Sequence, residues 1–152
     1  MTAYGANAEQ TIQPNGFAVF TSVIIPCELG LVQHVNDTPI FSLSGWRQNN
    51  NCPCRSNIPT YYFTDFNANV ALAEGATVVP ISIVVTIDGV PYTLSEMDST
   101  PAAVEEYNNV SVRVPIPILS RCCQNVAIQN TSTQPILMKN GLLIFDRPDL
   151  QN

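Results

Sequence analysis

Five cysteines and one histidine are the residues of this 152-residue chain best suited to chemistry. Four of the cysteines form two close pairs, Cys52/Cys54 and Cys122/Cys123, and Cys27 stands alone. Four thiolates suit zinc or iron, but tetrahedral sites favour two or more residues between paired ligands, and the spacings here are one and zero. In an extended chain the side chains of Cys122 and Cys123 diverge, which also works against one shared ion. A disulfide therefore ranks first, between the two loops or between subunits in an oxidising exterior, with reduced thiols second and metal third. An odd count leaves at least one thiol free or paired between molecules. Cys27 follows Pro26 at a strand end and reads as a small buried hydrophobe.

His34 would need Cys27 or Asp37 as a partner to form a catalytic dyad. A lone histidine in a strand reads instead as a structural or interface residue. A metal shared between the histidines of several copies is the remotest reading. The carboxylate pairs Glu96/Asp98 and Glu105/Glu106 read as solvated loop residues, since sequence proximity does not set two acids across a cleft. Nor do they sit in a calcium-loop pattern. The chain carries no nucleophile elbow, no phosphate-binding glycine loop and no His-Glu-x-x-His. The sequence predicts no enzyme, with no catalytic residue, cofactor or resident metal.

The elements that would carry these residues are strands. Twelve prolines spread along the chain oppose helices, and period-two alternation recurs. In Val79–Asp88, Val79, Ile81, Ile83, Val85 and Ile87 share one face. In Ser111–Ile118, Val112, Val114, Ile116 and Ile118 point one way and Arg113, Pro115 and Pro117 the other. Two prolines two apart cannot donate ladder hydrogen bonds, so this strand is expected at a sheet edge or flanked by loops, with its proline face a candidate contact for a neighbouring subunit. Further strands are predicted at Gly16–Ile25, Gly30–Asn36, Ile40–Trp46, Thr60–Leu72, Val90–Ser95, Asn125–Asn130, Pro135–Met138 and Leu142–Arg147. Asp88-Gly89 and Asn140-Gly141 are the strongest hairpin signals. Thr100–Tyr107 is the one candidate helical turn. Eight to ten strands at such spacing predict an all-β antiparallel sandwich, residues 11–152 forming one domain behind a flexible or swapped arm at 1–10.

Charged residues make up only 12% of the chain, with Asn, Gln, Ser and Thr in their place. Such a surface suits dense assembly, because desolvating amides costs less than desolvating unpaired ions. A net charge of −6 with scattered basic residues argues against nucleic-acid binding. No apolar run is long enough for a membrane span. Met1 to Gln13 lacks the basic start and apolar stretch of a secretory signal, so the expectation is synthesis without a signal peptide.

The segments Gln13–Phe20, Val112–Ile118, Cys122-Cys123, Val126–Ile136 and Leu142–Arg147 resemble strands of the tumour-necrosis-factor/complement-globular-head jelly roll. They are most similar to its bacterial and phage relatives, such as C-terminal domains of collagen-like exosporium proteins. Ser44-Gly45-Trp46, Cys52-Pro53-Cys54-Arg55 and Pro101–Tyr107 also resemble small proteins of Firmicutes and their phages. No Gly-X-Y stalk is present. The resemblance implies a homotrimer whose aromatic and aliphatic strand faces meet at the threefold axis. Tyr61, Phe63, Phe66, Val112, Val114 and Ile144 are the candidate interface residues. The function so expected is a structural display protein decorating a phage virion. Its partners would be itself, other particle-surface proteins, and a glycan or protein on a host. The alternatives are a spore-surface protein cross-linked through Cys52, Cys54, Cys122 and Cys123, and a carbohydrate-binding module using Trp46 or tyrosines.

Overall fold

The computed structural model describes residues 1–27, 30–45, 60–119 and 123–148. Among them the strands are β1 (Thr2–Ala6), β2 (Gln10–Ile12), β3 (Ser22–Ile25), β4 (Val32–His34), β5 (Phe41–Leu43) and β6 (Thr60–Leu72). These are followed by β7 (Ile81–Ile87), β8 (Val90–Pro91), β9 (Met97–Ser99), β10 (Asn108–Ile118), β11 (Gln124–Asn130) and β12 (Ile136–Asp146). A 3₁₀ turn, Thr93–Ser95, lies between β8 and β9, and no α-helix occurs among the described residues. No helix there is long and apolar enough to cross a membrane.

The strands make two antiparallel sheets. The first, sheet I, runs β10-β6-β12-β1-β3, with β2 also on β12; the second, sheet II, runs β4-β5-β11-β7-β8, with β9 also on β7. Alternating apolar residues line the space between them. Tyr62, Phe66, Val70, Val114, Ile116 and Phe145 come from sheet I, and Phe41, Leu43, Ile81, Ile83, Val126 and Ile128 from sheet II. Phe41 is the hub: Tyr4, Phe20 and Phe145 meet its ring at centroid distances of 4.7, 5.3 and 5.3 Å. Edge-to-face and tilted contacts of this kind add about 0.5–1.5 kcal/mol each beyond simple burial. The Tyr62 hydroxyl donates to the Ser44 carbonyl at 2.6 Å, so its polar end is satisfied inside the core.

Several expectations meet the structure directly. The proline-bearing strand β10 is the edge of sheet I, as two missing donors require. Asp88 (φ 51°) and Gly89 (φ 80°) turn β7 into β8 with the positive angles expected of them. Asn140-Gly141 is different: it forms no hairpin but a bulge in one continuous strand, β12. Asn140 still takes a positive φ of 54°, since a bulge uses the same local conformation as the turn. A Cβ on Gly141 would lie 3.0 Å from Met138 Cε and 3.3 Å from Ala6 Cβ, so close approach of β1 also favours glycine.

Three further expectations are corrected. Residues 1–10 do not form an arm. Thr2–Ala6 is an inner strand, paired within the chain to β12 on one side and β3 on the other, with all five residues buried. Met1 to Ala8 carries no charged side chain and its residues are mostly small, which lets this strand sit inside a sheet. Thr100–Tyr107 forms no helical turn; it is a bent loop whose Glu105 has φ 59°. Gly16–Ile25 is a ladder strand only at Ser22–Ile25, while Phe17 and Phe20 make single bridges to Gln129 and Thr38.

Candidate functional site

The outward face of sheet I follows from strand parity. Tyr62, Thr64, Phe66, Ala68 and Val70 of β6 point into the core, so Tyr61, Phe63, Asp65, Asn67 and Asn69 point out. Opposite them on β10 stand Pro117, Pro115, Arg113, Ser111 and Asn109 in register. On the other side β12 sets Asp146 beside Phe63, Ile144 beside Asp65 and Leu142 beside Asn67. Ala3 and Gly5 of β1 continue the rows of Ile144 and Leu142. A Cβ at Gly5 would meet Ile24 Cδ1 at 3.0 Å, so the Ile24 side chain of β3 covers that glycine and extends the face.

This face has two halves. One is apolar: Tyr61, Phe63, Pro115, Pro117, Leu142 and Ile144, with Tyr61 47% exposed and Ile24 57%. The other is an amide patch, where Asn109 Nδ2 donates to Asn67 Oδ1 at 3.0 Å and Asn69 Oδ1 at 3.2 Å. Between them the Arg113 guanidinium lies 5.3 Å above the Phe63 ring and 3.5 Å from the Asp65 carboxylate. That ion pair is largely exposed and contributes little on its own. The face therefore carries two charged pairs, Arg113–Asp65 and the Met1 ammonium with Asp146 at 3.8 Å, among aromatic, aliphatic and amide groups.

Of the six interface residues expected from sequence, Tyr61, Phe63 and Ile144 are on this outer face. Phe66 and Val114 are buried in the core, and Val112 packs against it. Parity explains the correction: Phe66 is an odd number of residues from Phe63, and Val112 and Val114 stand opposite inward Phe66 and Thr64. Leu142, Pro115, Pro117 and Ile24 also lie on this outer face and are not among the six expected from sequence. The signal for Leu142 was the two-residue step to Ile144. For the prolines it was the face already marked for a neighbour. Ile24 had none, because it joins through a register shift between β1 and β3.

Elsewhere among the described residues the chemistry-bearing groups are spread apart. Cys123 is disulfide-bonded; its partner, together with Cys52, Cys54, Cys122 and Trp46, lies outside the described residues. Cys27 is a free, half-buried thiol packed against the core, and Val32 N–H donates to its sulfur at 3.4 Å. Glu96, Asp98, Glu105 and Glu106 are exposed; Glu96 Oε1 accepts from Ser82 Oγ, and Glu106 Oε2 from Ala102 N–H. Among the described residues no group of three or more His, Cys, Asp or Glu converges on a point. Tyr107 donates to Glu9, and Lys139 Nζ lies 3.9 Å above its ring. Burial, then the bond to Glu9 and its charge, push the Tyr107 phenol up to about 12. Burial also raises Tyr4.

No protein-family model matches this sequence, and no curated protein matches it. Among solved structures the chain is similar to the globular domain of zebrafish complement 1qA protein. The two share 12% identity and a TM-score of 0.57, over 92% of this chain and 93% of that one. At such identity the likeness is one of fold. The chain has an all-β jelly-roll fold like that of the complement globular head.

Proposed function

We propose that this chain is a non-enzymatic display protein that self-assembles through the outer face of sheet I, as a homotrimer on a particle surface. The observation that carries the reading is that face, where Tyr61 and Phe63 stand opposite Pro117 and Pro115, and Ile144 and Leu142 follow on β12 in the next two rows, beside Asp65 and Asn67. Its aromatic and apolar side chains, with an arginine paired within the face, match the composition of association surfaces. A second copy is the occupant because the charges on the face are already paired within the chain, which leaves its exposed apolar groups as the surface to be covered. The number three comes from the resemblance of the closing strands to trimeric jelly rolls. Trimeric display multiplies weak single contacts by avidity.

The particle we favour is a phage virion. A spore exterior is the second reading, favoured by the disulfide at Cys123, since such bonds persist in oxidising surroundings. The double variant Phe63→Glu/Ile144→Glu tests the assembly. Both side chains are outward, so the expected result is a folded monomer with unchanged β circular dichroism. An unchanged native mass would refute the assignment of the face.

A further inference from the structure

His34 is the one histidine in the chain, and the proposed assembly does not use it. Its ring lies between two backbone carbonyls. Nδ1 is 3.0 Å from the Ile40 oxygen, and Nε2 is 3.2 Å from the Phe20 oxygen. The ring is held in that orientation by Phe41, stacked on it at 4.0 Å and 10°, and by Tyr4, edge-on at 5.1 Å. Carbonyl oxygens only accept. Neutral imidazole has one N–H and imidazolium has two, so only the protonated ring can serve both oxygens.

The two carbonyls are not equivalent. The Phe20 oxygen also accepts from the Asp37 N–H at 3.0 Å, so it keeps a donor when the ring offers none. The Ile40 contact is the shorter of the two. The neutral ring therefore keeps its proton on Nδ1, facing Ile40. We propose that His34 is a proton-operated clasp: a second proton adds an Nε2–H bond to the Phe20 carbonyl, fastening the segment that enters edge strand β3 to β4 of the opposite sheet.

Phe20 is two residues before Ser22, where β3 begins, and it bridges to Thr38 in the loop after β4. The clasp thus joins the two sheets along the flank where β3 and β4 are edges. The titratable groups around it are Tyr4 of β1, Cys27 ahead of β4, and Asp37 of the β4–β5 loop. Burial raises the Tyr4 phenol above its usual range, and Asp37 is exposed. A charged ring stacked on Phe41 also gains a cation–π contact.

Nitrogen-15 NMR of the whole protein reads this single ring without ambiguity. The expected result is a neutral ring protonated at Nδ1, gaining a hydrogen-bonded Nε2–H on acidification. Amide exchange at Thr21–Ile25 and Asp37, corrected for its intrinsic pH dependence, should then slow by about fivefold, the effect of one net hydrogen bond. His34→Gln, which cannot take up a proton, should lose that extra slowing. A neutral ring protonated at Nε2, or identical pH dependence in the wild type and His34→Gln, would overturn the proposal. If His34→Gln does not fold, the ring measurement on the wild type decides alone.

Discussion

Replacing Asn130 by alanine should cost far more than replacing Asn109, although both amides make three donor contacts. Asn130 is buried, and its Nδ2 donates to the carbonyls of Ile12 (3.1 Å), Gln13 (3.3 Å) and Gln134 (3.1 Å). Its Oδ1 accepts from Ser132 N–H at 2.9 Å. This one side chain joins the end of β11 to the β2 exit and to the turn before β12. Truncation orphans one buried N–H, at about 1–3 kcal/mol. It also strips a donor from three carbonyls, of which Gln13 keeps another in Gly16 N–H. With water entering part of the gap, the sum is about 3 kcal/mol. For a domain of this size that lowers Tm by roughly 6–12 °C. Asn109 Nδ2 donates to Asn67, Asn69 and the Ala68 carbonyl, but at the surface, where water replaces it. Asn109→Ala should stay within about 0.5 kcal/mol of wild type. Paired urea denaturation curves measure both. Equal costs for the two variants, or a cost below about 1 kcal/mol for Asn130→Ala, would refute the reasoning from burial.

Alkaline pH should unfasten the Glu9–Tyr107 contact. Tyr107 is raised from 10.0 to about 12 in the folded state, so its contribution is fully present below pH 10 and is lost as pH rises through about 12. Phenolate absorbance should show one late-titrating tyrosine, and Glu9→Gln should move that titration down; no movement would exclude the carboxylate as a cause. Gly16→Ala should destabilise by about 1–3 kcal/mol, because the new Cβ would lie 2.9 Å from the Gln13 carbonyl oxygen, a backbone atom. Gly5→Ala meets side-chain atoms, Ser22 Oγ at 2.9 Å and Ile24 Cδ1 at 3.0 Å, which can move, so thermal melts should show the smaller loss.

Long alternation was legible in the sequence because it reports burial of one face. Thr60–Leu72 was read to the residue as β6, and Val79–Asp88 contains β7. Proline spacing placed β10 at an edge because missing donors are a property of the residue itself. What failed depends on distant partners. Thr2–Ala6 has no strong pattern of its own and becomes a strand because β12 and β3 pair with it. Asn140-Gly141 fits a hairpin and a bulge equally well by local angles; pairing of β12 with β6 on both sides of it selects the bulge. The outer face of sheet I was half legible. Of the residues expected at an interface, Tyr61, Phe63 and Ile144 lie on that face, whereas Phe66, Val112 and Val114, chosen for residue type without regard to parity, face the core. The His34 carbonyls come from Phe20 and Ile40, and no sequence pattern brings those two together.

The native mass of the purified chain, measured by sedimentation equilibrium with and without reductant, tests the central claim most directly. A trimer that reductant leaves intact is the predicted result, because the outer face of sheet I would hold it by apolar packing. A monomer at all concentrations would contradict self-assembly through that face.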